Sequence, residues 1–240
     1  MDSLNSFGNT ETIPPYSHAG VDYPLGRLFR GSVPSFYPDP AFSKMMEAQG
    51  QQPPVYVDTS WLLVGHVDET ISFIRADNER GWTIMANDAQ LAWTMLQDLS
   101  DDGYGDTPMF VGKYWDADDP AEITVDGVLA DADVMAETAK SAIAVQAQLD
   151  ILLEATGLDP SEVVNIPYTH HTISGYSVAY QPGTVNGIYL SDNDFGAPDP
   201  HGPVVNGQDV FKVHMQDELT PFGINVHWIE DWDLYHRLLG

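Results

Sequence analysis

Between Val55 and Val67 the chain carries Val55, Val57, Trp61, Leu62, Leu63, Val64 and Val67, an almost continuous apolar series. It is too short and too β-branched for a helix, so it predicts a buried strand running into Gly65-His66-Val67-Asp68-Glu69. Ile71–Arg75 and Trp82–Met85 predict further strands, joined by a polar turn over 76–81. Ala89–Leu99 sets Leu91, Met95 and Leu99 on one helical face, with a loop at Asp101–Gly105. Met135, Ala139, Ala142, Gln146, Leu149 and Leu153 follow three-and-four spacing and predict a longer helix, which Gly157 is placed to stop. Val163–Pro167, Tyr176–Tyr180 and Gly187–Leu190 read as strands, Val210–Leu219 as a helix, and Ile224–Ile229 as a strand ending in Glu230-Asp231. Residues 13–54 are rich in Pro and Gly and predict short strands and turns. Asp116–Asp133, dense in Asp and Glu, predicts a solvated, mobile segment with little fixed structure. This alternation of strands and helices implies an α/β architecture.

Composition narrows the partners. The 240 residues suit one domain or a large piece of one, and a 43% hydrophobic content supplies a core. Asp and Glu total 36 against 9 Lys and Arg, a formal charge of −27. Nucleic acid is an unsuitable partner, because binding it needs Lys and Arg against phosphate. A cationic substrate would be drawn in, although acidity also serves solubility alone. No apolar run approaches the ~18 residues of a membrane span, and Met1–Asn9 lacks a secretory layout. With no cysteine, these residues hold no disulfide, thiolate metal site or catalytic thiol.

The candidate chemistry sits at the end of the apolar series. If His66 and Asp68 lie on a strand they face the same way, placing a general acid/base beside an anion. Such a pair is also a common structural arrangement, or two ligands of a metal whose remaining ligands stand at no recognisable spacing. His170-His171 suggests a metal pair, but neighbours on a strand diverge, and an exposed loop is the preferred reading.

Val64-Gly65-His66-Val67-Asp68-Glu69, followed by Ser72-Phe73, resembles the signature of the protein-arginine deiminases. Ser6-Phe7-Gly8-Asn9-Thr10-Glu11, Pro14-Pro15 and Tyr23-Pro24-Leu25-Gly26-Arg27 match upstream. Gly202-Pro203-Val204-Val205-Asn206-Gly207, Thr220-Pro221-Phe222-Gly223, Ile229-Glu230-Asp231 and Tyr235-His236 match downstream, all in order. The resemblance implies a pentein-type α/β propeller of ββαβ modules, here incomplete. It also implies calcium-dependent conversion of peptidyl-arginine to citrulline and ammonia, with arginine-containing proteins or peptides as substrates. His66 would be the acid/base and Asp68 the guanidinium ligand. Val64 would line the substrate site over Trp61. Phe7 and Thr10, through their carbonyls, and Glu11, through its carboxylate, would join a calcium site.

Against that family pattern, residues 1–240 are expected to be a partial catalytic domain. A first aspartate, arginines that grip substrate and further calcium ligands would lie before Met1, and the nucleophilic cysteine beyond Gly240. Leu238 stands where a substrate-contacting arginine is expected, with Arg237 one position away. Missing closing strands would leave apolar edges and favour self-association. The family implies a cytoplasmic location, with secretion equally compatible. Two other readings remain: a non-catalytic relative binding arginine-rich peptides, and a pentein acting on a small guanidine. The matches at Tyr23–Arg27 and Gly202–Gly207 weigh against the latter.

Overall fold

Strand Arg27–Ser32 has two neighbours of opposite direction. Thr10–Ile13 runs antiparallel to it, Thr10 opposite Arg30 and Ile13 opposite Arg27. Val55–Asp58 runs parallel, Phe29 opposite Val55 and Ser32 opposite Asp58. A parallel pair needs a long crossover, and the helix Pro40–Ala48 lies within it. This computed structural model describes residues 3–33 and 39–238. It divides into two compact units, Met1–Ala86 with Ile143–Val164, and Asn87–Ala142 with Asn165–Gly240.

The helix Pro40–Ala48 corrects the expectation of strands and turns throughout 13–54; Pro34–Pro38 lie outside the described residues. Asp39 caps it, its carboxylate accepting the amides of Ala41 and Phe42 at 2.8 and 2.9 Å, and Pro40 occupies the first turn, where no amide is needed. Here proline starts a helix. In the same unit, Ile71–Arg75 pairs antiparallel with residues 82–86 of strand Trp82–Asp88, Ile71 opposite Ala86. Phe29, Val57, Val67, Ile71, Trp82 and Ile84 form the core with Val145, Leu149 and Leu152. Full burial of one such side chain stabilises by about 1.5–3 kcal/mol. The Phe73 ring meets Phe29 and Trp82 edge-on at 6.0 and 5.6 Å.

The second unit repeats the strand order. Asp194–Pro198 is antiparallel to Ile188–Ser191 and parallel to Asn225–Ile229, with helix Val210–Leu219 between the parallel strands. Each unit therefore contains a ββαβ succession whose second strand is central. The architecture is α/β, as the alternation predicts. Phe110, Trp232 and Tyr180 anchor the core of this unit, with Phe110 ring centroids 5.3 Å from Trp232 and 5.4 Å from Tyr180.

Several expectations are corrected. The acidic stretch is ordered: Ile123–Thr124 pairs with Pro108–Met109. Thr124 caps the helix Val125–Ala130 by accepting the Gly127 amide at 3.0 Å. Ala121, Val125 and Val128 are buried, and these small apolar residues among the acids supply the anchoring that composition concealed. The helix 89–99 matches its predicted span, but Ser100–Tyr104 continues it as a π-type turn. Helix Ala132–Thr156 includes the predicted one, and Gly157, at φ +71°, closes it by donating to Leu153 at 2.8 Å. Its buried face differs from the predicted stripe, since Ala139 and Gln146 are exposed whereas Thr138, Ser141 and Gln148 are buried. Those polar groups are paired: Thr70 donates to Gln148 at 2.8 Å, and Gln148 donates to the Asp58 carbonyl at 2.9 Å. His170 is buried on strand His170–Ile173 and His171 is half-buried, so neither occupies an exposed loop.

Candidate functional site

The predicted strand over Val55–Val67 ends at Asp58. Residues 59–70 form turns and bends instead, and within them Gly65 adopts φ +83°, a left-handed conformation costly for other residues. His66 and Asp68 therefore come together on a loop, without help from strand alternation. Two buttresses hold this loop. Val67 is fully buried, and the Glu69 carboxylate accepts the His66 amide at 2.8 Å.

On this loop His66 Nδ1 lies 3.9 Å from Asp68 Oδ1, with side chains 14% and 19% exposed. His66 Nε2 is 2.7 Å from the Ser6 hydroxyl. Gly8 covers the pair: a Cβ there would lie 2.6 Å from both Asp68 Oδ2 and His66 Nδ1. The Asp68 amide donates to the Gly8 carbonyl at 3.3 Å. Asp68 Oδ1 is buried without a hydrogen-bond partner.

Three acidic side chains, Asp68, Glu69 and Glu11, gather at this loop. Burial, then the Glu69 and Glu11 carboxylates, push Asp68 up to about 8. Burial lifts Glu69 to about 7, against the backbone amides of His66 and Gly65 that lower it. Burial also raises Glu11, against a backbone hydrogen bond at Thr12. Three desolvated carboxyls with a bare acceptor oxygen suit a planar cation offering several N–H donors, which is what a guanidinium provides.

The structure thus unites His66, Asp68 and Glu11 with the turn around Phe7. Val64 is half-buried, two residues before His66. Trp61 packs against the core and donates to the Asp58 carbonyl at 3.3 Å, a supporting position. The Phe7 side chain points outward, 90% exposed, while its carbonyl accepts the Thr10 amide. Thr10 opens the first strand, with Glu11 next along it. Of the three expected calcium ligands only Glu11 brings a charged oxygen, short of the six to eight oxygens that calcium prefers. Among the described residues no group of three or more His, Cys, Asp or Glu could hold a metal ion. These residues do not by themselves fit a calcium site.

Ser6, Gly8 and Glu69 acquire roles that sequence reasoning did not assign. All three stand in the stretches carrying the family resemblance, so the signal was present. Only the folded contact reveals that a Cβ at Gly8 would crowd both His66 and Asp68.

The family model for protein-arginine deiminase (PAD) matches residues 1–240. Protein-arginine deiminase type-1 of Mus musculus is 30% identical over 244 residues, covering 99% of this chain and 36% of that protein. Type-3 of Homo sapiens is 30% identical over 100% of this chain and 36% of its own length, and type-4 of Homo sapiens is 28% identical over 98% and 36%. The chain spans about a third of the length of these curated relatives. On the family match along its whole length, this chain belongs to the protein-arginine deiminase family.

Proposed function

We propose that these residues carry the acid/base and guanidinium-binding portion of a calcium-dependent protein-arginine deiminase, which hydrolyses peptidyl-arginine to peptidyl-citrulline and ammonia. The observation that carries the reading is the buried Asp68 Oδ1, which accepts no hydrogen bond and lies 3.9 Å from His66 Nδ1. Asp68, once ionised, accepts guanidinium N–H groups and fixes the plane of the group. A thiolate supplied from outside these cysteine-free residues attacks the guanidinium carbon. His66 donates a proton to the nitrogen that departs as ammonia. It then takes a proton from water, whose oxygen displaces the thiolate and becomes the urea oxygen of citrulline. Val64, over Trp61, lines the substrate path. Glu11, with the Phe7 and Thr10 carbonyls, would supply only part of a calcium site, since one carboxylate and two carbonyls fall short of the six to eight oxygens calcium prefers. The ββαβ succession in each unit supports a pentein propeller as the wider architecture.

The test is citrulline formation from an arginine peptide by a cysteine-bearing form containing these residues. His66→Ala should abolish it, and Glu11→Gln should raise the calcium concentration needed for half-maximal rate. Unchanged rates in His66→Ala would refute the assignment. A second reading is arginine-peptide binding without turnover, through Asp68 and the acidic surface that gives the chain its formal charge of −27. The same assay separates them, since binding without citrulline in every cysteine-bearing form supports the second. No described helix is long and apolar enough to cross a membrane.

A further inference from the structure

Ser6 precedes the 3₁₀ turn Phe7–Asn9 at its N-cap, yet its side chain makes no capping hydrogen bond. Its hydroxyl instead lies 2.7 Å from His66 Nε2. Two residues later Gly8 lies against the other imidazole nitrogen, where a Cβ would come within 2.6 Å of Nδ1. The turn therefore touches the ring at both nitrogens. It is also anchored. Asn9 is fully buried, donates to the carbonyls of Leu4 and Gly31 at 3.0 Å each, and accepts the Gly31 amide at 2.8 Å. Those bonds tie the turn to the central strand Arg27–Ser32, so the Ser6 hydroxyl is presented from a fixed backbone.

We infer that Ser6 is a positioning residue for His66, holding the imidazole with Nδ1 toward Asp68 through both of its protonation states. A hydroxyl suits this task because it both donates and accepts. It can donate to a bare Nε2 or accept from Nε2–H, so the ring need not turn when it gains or loses a proton. Within the deiminase reading, on which this role rests, the same ring orientation serves the acid step and the base step. The division of labour follows the chain: Ser6 holds the ring edge, Gly8 leaves room for it, and Asn9 fixes the turn.

The test compares Ser6→Thr with Ser6→Val, an isosteric pair that differ in the hydroxyl alone. Diethyl pyrocarbonate modification of each histidine is followed by peptide mass spectrometry across pH 5.5–8.5, a range chosen to span histidine titration. His66 should be modified about fivefold faster in the valine variant, the factor expected for one lost hydrogen bond, and its pH profile should shift. The threonine variant should retain the native rate and profile, and the exposed His227 serves as an internal reference in both. Equal His66 rates and profiles in the two variants would overturn the inference. The measurement needs no turnover, so it can succeed even where citrulline formation fails, and the two readings fall separately.

Discussion

Gly8 sits against Asp68 so closely that a single added methyl group would lie 2.6 Å from its Oδ2. The contact lets a backbone carbonyl reach the Asp68 amide while the carboxyl above it remains buried. Gly8→Ala must displace the Asp68 carboxyl, the His66 ring or the turn that carries it. We expect a loss of about 1–3 kcal/mol, typical of overpacking, measured by urea denaturation. Arginine-peptide binding should weaken in parallel. A Gly8→Ala variant that melts and binds like the parent would show that the contact is slack.

The carboxyl of Asp68 titrates near 8 when folded, against an ordinary value of 3.8. A raised acid binds a proton in the folded chain that the unfolded chain has released. Its stabilising contribution is therefore complete below about pH 4 and is lost as pH rises toward 8. Asp68→Asn should consequently raise Tm relative to the parent at pH 8.5 by several degrees, and much less at pH 5. Thermal melts at the two pH values check this. An equal change at both would mean that Asp68 ionises normally.

Acid acts oppositely on the buried histidines of the second unit. Burial, then the His171 and His201 charges, hold His236 down to about 3, and its Nε2 is buried without a hydrogen-bond partner. The folded chain keeps it neutral while the unfolded chain protonates below about 6.5, so its contribution is intact above that value and is lost as pH falls from 6.5 toward 3. The ring lies 4.7 Å from Trp232 and 5.8 Å from Trp115, a setting that accepts a phenyl ring. His236→Phe should raise Tm at pH 5 by more than at pH 8. Identical shifts at both values would indicate that the folded imidazole titrates as it does in the unfolded chain.

Much of this arrangement is legible in the sequence. The helices 89–99 and 210–219 match their predicted spans, because Asp88 and Asp209 cap them and apolar spacing marks one face. His66 and Asp68 were legible as a pair through their spacing, yet the strand invoked to align them ends at Asp58 and they sit on a turn. Helix Pro40–Ala48 was hidden because proline and glycine around it read as breakers, whereas Asp39-Pro40 is a start signal. The acidic segment 116–133 was hidden because its anchors are single residues such as Ala121 and Val128. Gly8 and Ser6 were visible as letters but not as contacts. The close approach of residues 6–8 to residues 66–68 depends on the strand pairing Thr10–Ile13 with Arg27–Ser32.

The central claim is that the carboxyls around Asp68 receive a guanidinium. Its most direct test is calorimetric binding of an arginine peptide and of the matched citrulline peptide, to the parent chain and to Asp68→Asn, at pH 6 and pH 8.5. The arginine peptide should bind and the neutral citrulline peptide should not. Affinity should rise with pH as the carboxyls ionise, and Asp68→Asn should lose at least about tenfold, the factor for one charge-assisted hydrogen bond. That substitution removes one negative charge from a formal total of −27, so diffuse attraction survives it almost unchanged. Equal binding of the arginine peptide by parent and Asp68→Asn would contradict the account and leave only the acidic surface as the source of affinity.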